Sequence, residues 1–328
     1  MIEASRAALP AGGQKRRGLR RWLAQERVFR LILFVLVESF FLLLLALPFV
    51  LTVYISLLKW RANRTFEQAY FQGLANYIRV LSEPEFWWAL GRTFYLAGVA
   101  VSLELVLGFC LAMLVHQEFR GRKVYITIFL IPMMVVPVVM GYNFSMLYID
   151  SGPINQLLAL FLTPFGIDPR IRWLSHPVAA QWAIILADVW QWTSLTFLIF
   201  LSGFAALPQD LIHAAQIMGA SPWQIFWRIQ LPLLKPAIIV AVVIRSMEAL
   251  KLFDQAVLLT FGGPGEATQT IAFFLWRQMW QFNKYSFGAA ASVLLLFLFA
   301  GLIYAGIYLL VRERALLRHE EMPQGETS

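Results

Sequence analysis

Only one cysteine, Cys110, occurs in the chain, and it lies within an apolar run. Neither a disulfide framework nor a cysteine metal site can be built from it. The four histidines, His116, His176, His213 and His319, are scattered, with no HExxH pattern and no close ligand spacing, so no metal is expected. The glycine-rich stretch Gly262 to Gly265 is followed by Glu266 and lacks the lysine of a phosphate loop, so the chain has no ATP site of its own and no cofactor is expected in it. Serine–lysine, paired-aspartate and histidine-cluster motifs are missing as well, which argues against an enzyme. Charge is scarce. Charged residues make up 14% of the sequence against 59% hydrophobic, too apolar for a water-soluble fold of this length and natural for a bilayer. The formal charge of +8 does not point to nucleic acid, because the basic residues crowd the termini and the short connections between apolar runs, where membrane insertion places them.

Six segments are long and apolar enough to span: roughly Leu31 to Leu58, Thr93 to His116, Val124 to Ile149, Val178 to Leu207, Leu233 to Thr260, and Ser286 to Val311. Lipid cannot satisfy backbone hydrogen bonds, and the short alternating strands of a barrel are missing, so the fold class is all-α, a polytopic membrane protein of six helices. The first run is too long for a signal-peptide core, and the pairs Arg16-Arg17 and Arg20-Arg21 resemble a twin-arginine signal only superficially. Lys and Arg favour an N-in, C-in topology, 16 on the inner side against 9 on the outer. The expected organisation is a basic cytoplasmic tail over 1–30, a transmembrane domain over 31–311 and a cytoplasmic tail over 312–328. Pro132 and Pro137 should kink the third span, for packing or to line a path.

The connection between the fourth and fifth spans, Leu207 to Pro232, reads as two short helices. Asp210 is a candidate cap for the first, and Gly219 can end it. Ser221 caps the second with Pro222 at its first position, and Leu231-Pro232 is expected to end it. Trp223, Phe226 and Trp227 fall on one face. An interfacial hairpin resting on headgroups would use that aromatic face too. A DNA-reading helix-turn-helix is excluded by the tether at both ends and the low positive charge.

The same run resembles the cytoplasmic loop of permease subunits in binding-protein-dependent ATP-binding-cassette importers, roughly EAAxxDGAxxxxxFxxIxLPxxxP. Ala214, Ala215, Gly219, Ala220, Phe226, Ile229, Leu231, Pro232 and Pro236 match in register. His213 and Met218 stand where the family has glutamate and aspartate, which shifts docking from ionic contacts towards shape and apolar burial. Phe71, Gly73, Leu74, Asn76 and Tyr77, Phe119 to Arg122, Gly152 to Asn155, and Thr260 to Gly265 with Ala267-Thr268 are similar to the carbohydrate-uptake class, which the resemblance implies for a solute such as a sugar, oligosaccharide, polyol or glycerol-phosphate conjugate. It further implies a bacterial inner-membrane subunit, coupled through His213, Ala214, Ala215, Gly219, Ala220, Phe226, Leu231 and Pro232 to two separate ATPase subunits that hold ATP and Mg. A second permease and an extracytoplasmic solute-binding protein complete the expected assembly.

Ionisable residues within the spans cost about 2.5–3.5 kcal/mol each at a helix centre. Arg245, Glu248, Lys251 and Asp254 follow one another at three-residue intervals, so Arg245 with Glu248 and Lys251 with Asp254 are expected to neutralise each other. Glu38 and Glu104 should pair inside the bundle or sit near a boundary. A sugar offers hydroxyls at its edge and C–H bonds on its face, which suits aromatic platforms beside amides or carboxylates. Asp188, Trp190, Gln191, Glu248 and Lys251, with Asn143 on the kinked span, are therefore the candidate pathway residues. A purely structural ionic ladder competes with that reading. The membrane carboxylates and Lys251 also leave open a secondary transporter driven by a proton or ion gradient.

Overall fold

In the computed structural model the described residues are 12–60, 65–167 and 170–320, so the outermost parts of both expected tails, 1–11 and 321–328, lie outside them. Helix α1 (Gly12–Ser56) starts inside the basic tail and runs through the first apolar segment. A two-residue antiparallel pair, β1 (Leu58–Lys59) with β2 (Tyr70–Phe71), leads to α2 (Ala75–Leu81) and the long α3 (Pro84–Val115). Then come α4 (Arg122–Met134), α5 (Pro137–Leu147), α6 (Pro153–Leu162) and α7 (Pro177–Ala205). The chain continues through α8 (Gln209–Ile217), α9 (Pro222–Ile225), α10 (Leu231–Ala249), α11 (Ile271–Trp276) and α12 (Tyr285–Glu320). Five helices are long and apolar enough to cross a bilayer, and α4 with α5 makes a further span if their 95° bend is taken as a break within it.

The bend has a simple origin. Val135 and Val136 are extended between the two helices, and Pro137 occupies the first turn of α5, where its missing N–H costs nothing. The expected kink is therefore a full break.

Helix α7 is the axis of the bundle. Most of its apolar centre is buried, whereas none of the apolar centre of α1 is. In lipid there is no hydrophobic drive between helices, so close contact depends on small residues and interhelical hydrogen bonds. A Cβ at Gly108 on α3 would sit 2.1 Å from Thr196 Oγ1 of α7, and that hydroxyl donates to the carbonyl of Glu104 at 2.8 Å. Phe109 of α3 lies against Phe200 and Phe204 of α7, with centroids 5.3 and 5.5 Å away.

Three local expectations are corrected here. The residue before α8 is Pro208; Asp210 lies in the first turn, where its charge suits the helix dipole but makes no side-chain cap. Leu231-Pro232 does not end the second loop helix: Pro222–Ala249 is one 28-residue helix. It absorbs Pro232 because Phe226–Gln230 widens into a π-helical turn just before it, which relieves the clash between the proline ring and the preceding turn. The fifth span is not continuous to Thr260, since helix α10 ends at Ala249 and a π-helical turn resumes at Ala256–Thr260. The last turn tightens, with Lys251 N–H donating to Glu248 and Leu252 N–H to Ala249, each at three-residue spacing.

Candidate functional site

Breaking the fifth span undoes the expected ladder. Arg245 does not pair with Glu248. It reaches across the bundle to Glu104 on α3, donating from Nη2 to Oε1 at 2.8 Å and from Nε to Oε2, and also donates from Nη2 to Asp188 Oδ2 on α7 at 2.7 Å. The guanidinium carbon stands 5.2 Å from the centroid of the Trp192 ring. Glu104, Asp188 and Arg245 are all buried. Arginine suits this position because its planar fork holds one carboxylate with two parallel bonds and still reaches a second. Lys251 likewise forms no ion pair with Asp254 among the described residues; its Nζ lies 2.9 Å from Glu248 Oε1, and both side chains are exposed. Glu104 thus pairs inside the bundle as expected, whereas Glu38 is exposed on α1.

Asp188 also holds the far side of the break. Gln255 Nε2 donates to Asp188 Oδ1 at 3.0 Å, so one carboxylate is bonded to Arg245 before the interruption and Gln255 after it. Three residues along α7, Gln191 performs the matching task for the third span. Its Nε2 donates at 2.6 Å to the carbonyl of Val135, a group freed by the extended backbone at the bend. Non-helical backbone at membrane depth persists only where protein satisfies it, and here α7 does so. Gln191→Leu should leave that carbonyl unpaired and cost about 1–3 kcal/mol, read as a lowered unfolding midpoint in detergent with secondary structure unchanged.

These bonds sort the six candidate pathway residues. Asn143 and Trp190 line one recess of about 510 Å³ together with Val135 and Phe144; Trp190 is 43% exposed and meets Phe144 edge-on at 5.4 Å. Asp188, Glu248 and Lys251 border a smaller cavity of about 180 Å³ that also touches Pro137, Trp192 and Arg245. Gln191 lines neither; it is buried and committed to the backbone. Gln255 and Trp192 belong to the site and were not among the expected residues. A glutamine just past a run of charges carried a weak signal; Trp192 had none that set it apart from its neighbours.

The connection between α7 and α10 forms a rigid elbow. Gly219 has φ +80°, Ala220 N–H donates to Ala215 and Gly219 N–H to Gln216, the pair of bonds that closes a helix on a left-handed residue. Immediately after, Ser221 Oγ accepts from Gln224 N–H at 3.3 Å while Ser221 N–H donates to Gln224 Oε1 at 2.9 Å, a complete capping box with Pro222 at the first position. Both sides of the corner are fixed by local chemistry. Its outer surface is apolar and open: Ile217 is 87% exposed, Met218 80% and Trp223 69%, next to exposed His213 and Ala214. Trp223, Phe226 and Trp227 do share a face, with centroids 5.4 to 6.2 Å apart. Phe226 turns inward to Phe109 of α3 at 6.1 Å, which joins the elbow to the phenylalanine contacts between α3 and α7.

At another end of the bundle Arg277 lies 2.9 Å from Glu85 and 3.6 Å from Glu266, tying the glycine-rich turn after Thr260 to α3. Asn76 and Asn155 are buried in connections, donating to the carbonyls of Ser56 and Leu58 and of Asp150 and Ile171 respectively. Among the described residues no group of His, Cys, Asp and Glu could hold a metal ion.

The sequence profile of the family described as "Binding-protein-dependent transport system inner membrane component" matches residues 104–315. The chain is 40% identical over 225 residues to the trehalose/maltose transport system permease protein MalF of Thermococcus litoralis, covering 68% of this chain and 74% of that protein. It is 33% identical over 225 residues to the trehalose transport system permease protein SugA of Mycobacterium tuberculosis, covering 69% and 70%. Among solved structures, a chain of a bacterial ABC transporter involved in the import of the acidic polysaccharide alginate superposes with a TM-score of 0.75 at 22% identity, covering 89% of this chain and 99% of that one.

Proposed function

This chain belongs to the family of inner-membrane components of binding-protein-dependent transport systems, and on that premise we propose that it forms one half of a channel importing a carbohydrate-like solute with energy from a separate ATPase. It is a permease subunit of the inner membrane. The observation that carries the coupling reading is the elbow: a corner locked on both sides and faced with exposed Ile217, Met218 and Trp223 requires a partner to cover it. His213, Ala214, Ala215, Gly219, Ala220, Phe226, Leu231 and Pro232 take the coupling role. Within that set Phe226 relays displacement to α3 rather than touching the motor, because its ring meets Phe109.

Six spans with both termini in the cytoplasm, α4 and α5 counting as one, put the elbow on the ATPase side, in keeping with the Lys and Arg bias. A second permease, two ATPase subunits and an external solute-binding protein complete the assembly, in keeping with the binding-protein-dependent family. Carbohydrate is the solute class because relatives at 40% and 33% identity are named for trehalose and maltose transport. A gradient-driven transporter finds less support, since Glu104 and Asp188 are both engaged with Arg245.

Solute contact is assigned to Trp190 and Asn143 in the larger recess, with Glu248 and Lys251 at the rim of the smaller one, and Asp188 and Gln191 position the broken spans. Trp190→Ala, reconstituted with the partner subunits, should lower ATP-dependent uptake about three- to tenfold while the complex assembles normally. Unaltered uptake removes Trp190 from the pathway, and uptake that follows a proton gradient without the ATPase overturns the importer reading.

A further inference from the structure

A recess of about 350 Å³ lies where α1 runs into β1 and α12 begins, and it shares no lining residue with the two pathway cavities. Lys59, Arg79 and Lys284 line it against one carboxylate, Glu83. None of the three cations forms an ion pair among the described residues; Lys59 lies 5.4 Å from the Tyr70 ring centroid, and Lys284 5.4 and 5.8 Å from those of Phe282 and Phe287. The wall holds Ser286, which is buried. Its Oγ accepts the Trp60 N–H at 3.0 Å, and its own proton has no acceptor among the described residues. Asn76 on the same wall is spent on two backbone carbonyls, and Ser82 stands exposed beside it.

Positive charge and a spare donor therefore converge where Glu83 is the single carboxylate among the described residues. A group whose negative charge is shared over two oxygens and which has no donor of its own complements that arrangement, which describes a phosphate diester. The surroundings indicate how it arrives. Tyr70, Trp87, Trp88 and Trp280 are exposed on the neighbouring segments, and Trp60 stacks on Tyr285 at 5.2 Å. Amphipathic aromatic rings gather at headgroup depth, which places the recess level with lipid phosphates.

We propose that this recess binds the phosphate of an anionic phospholipid such as phosphatidylglycerol, with Lys59, Arg79 and Lys284 neutralising it and Ser286 donating a hydrogen bond. The full chain with its partner subunits, in nanodiscs of phosphatidylcholine containing a defined share of phosphatidylglycerol, provides the test by native mass spectrometry of retained lipid. The wild type should retain phosphatidylglycerol preferentially. An Arg79→Gln, Lys284→Gln double variant should lower that preference about 25-fold, near fivefold per charge removed. Glu83→Gln should raise it, an opposite shift that damage to the fold would not produce. The assignment is overturned if the wild type shows no preference, or if the double variant keeps it. It is overturned equally if glycerol phosphate, added to discs of phosphatidylcholine alone, binds as tightly as the lipid, which would make this a site for soluble phosphates. Weakened capture of the external solute-binding protein with lipid retention unchanged would make it a protein contact instead.

Discussion

Arg245→Met is expected to destabilise the protein by about 3–5 kcal/mol, the usual consequence of removing one partner from a buried ionic group. Glu104 and Asp188 would remain as carboxylates in the interior of the bundle, on two different helices, without the cation that both of them face. The appropriate measurement is unfolding in mixed micelles, followed by circular dichroism. A triple variant, Glu104→Gln with Asp188→Asn and Arg245→Met, should recover much of the loss, because neutral groups are far cheaper to leave inside than charged ones. Equal losses in the single and triple variants would show that shape, and not charge, holds this region together.

Gly219→Val should cut solute-stimulated ATP hydrolysis and uptake about tenfold while the chain still inserts. A left-handed conformation costs an L-residue roughly 1–2 kcal/mol, and a β-branched side chain tolerates it worst. Apart from Gly219 and its two chain neighbours, no atom of the described residues lies within 4 Å of a Cβ built at this position, so crowding is not the cause; the backbone angle is. Gly219→Asn separates the two, since asparagine enters the left-handed region readily and should keep coupling near the wild-type level. If stimulation survives in the valine variant, the elbow does not transmit the motor's work.

The sequence was most informative where structure depends on neighbours along the chain. Long apolar runs located the helices, Ser221 with Pro222 marked the start of the second loop helix, and Pro137 marked the bend, because each of these effects acts within one turn. Partners across the bundle were another matter. Arg245 meets a glutamate 141 positions earlier, and nothing local distinguishes that pairing from the one with Glu248 three residues on. The regular spacing of four charges makes a ladder only on a continuous helix. Once the helix stops after Ala249, spacing no longer determines which side chains share a face. Gln191 was expected beside a solute and is bonded to Val135, since a free carbonyl at a bend cannot be foreseen without knowing which helix runs past it.

Asp188 and Gln191 stand one turn apart on a single helix, and each fastens a different interrupted span. The two interruptions are thereby geared to one shaft. A displacement of α7 would therefore act on both broken spans together, since each bond transmits to its own interruption.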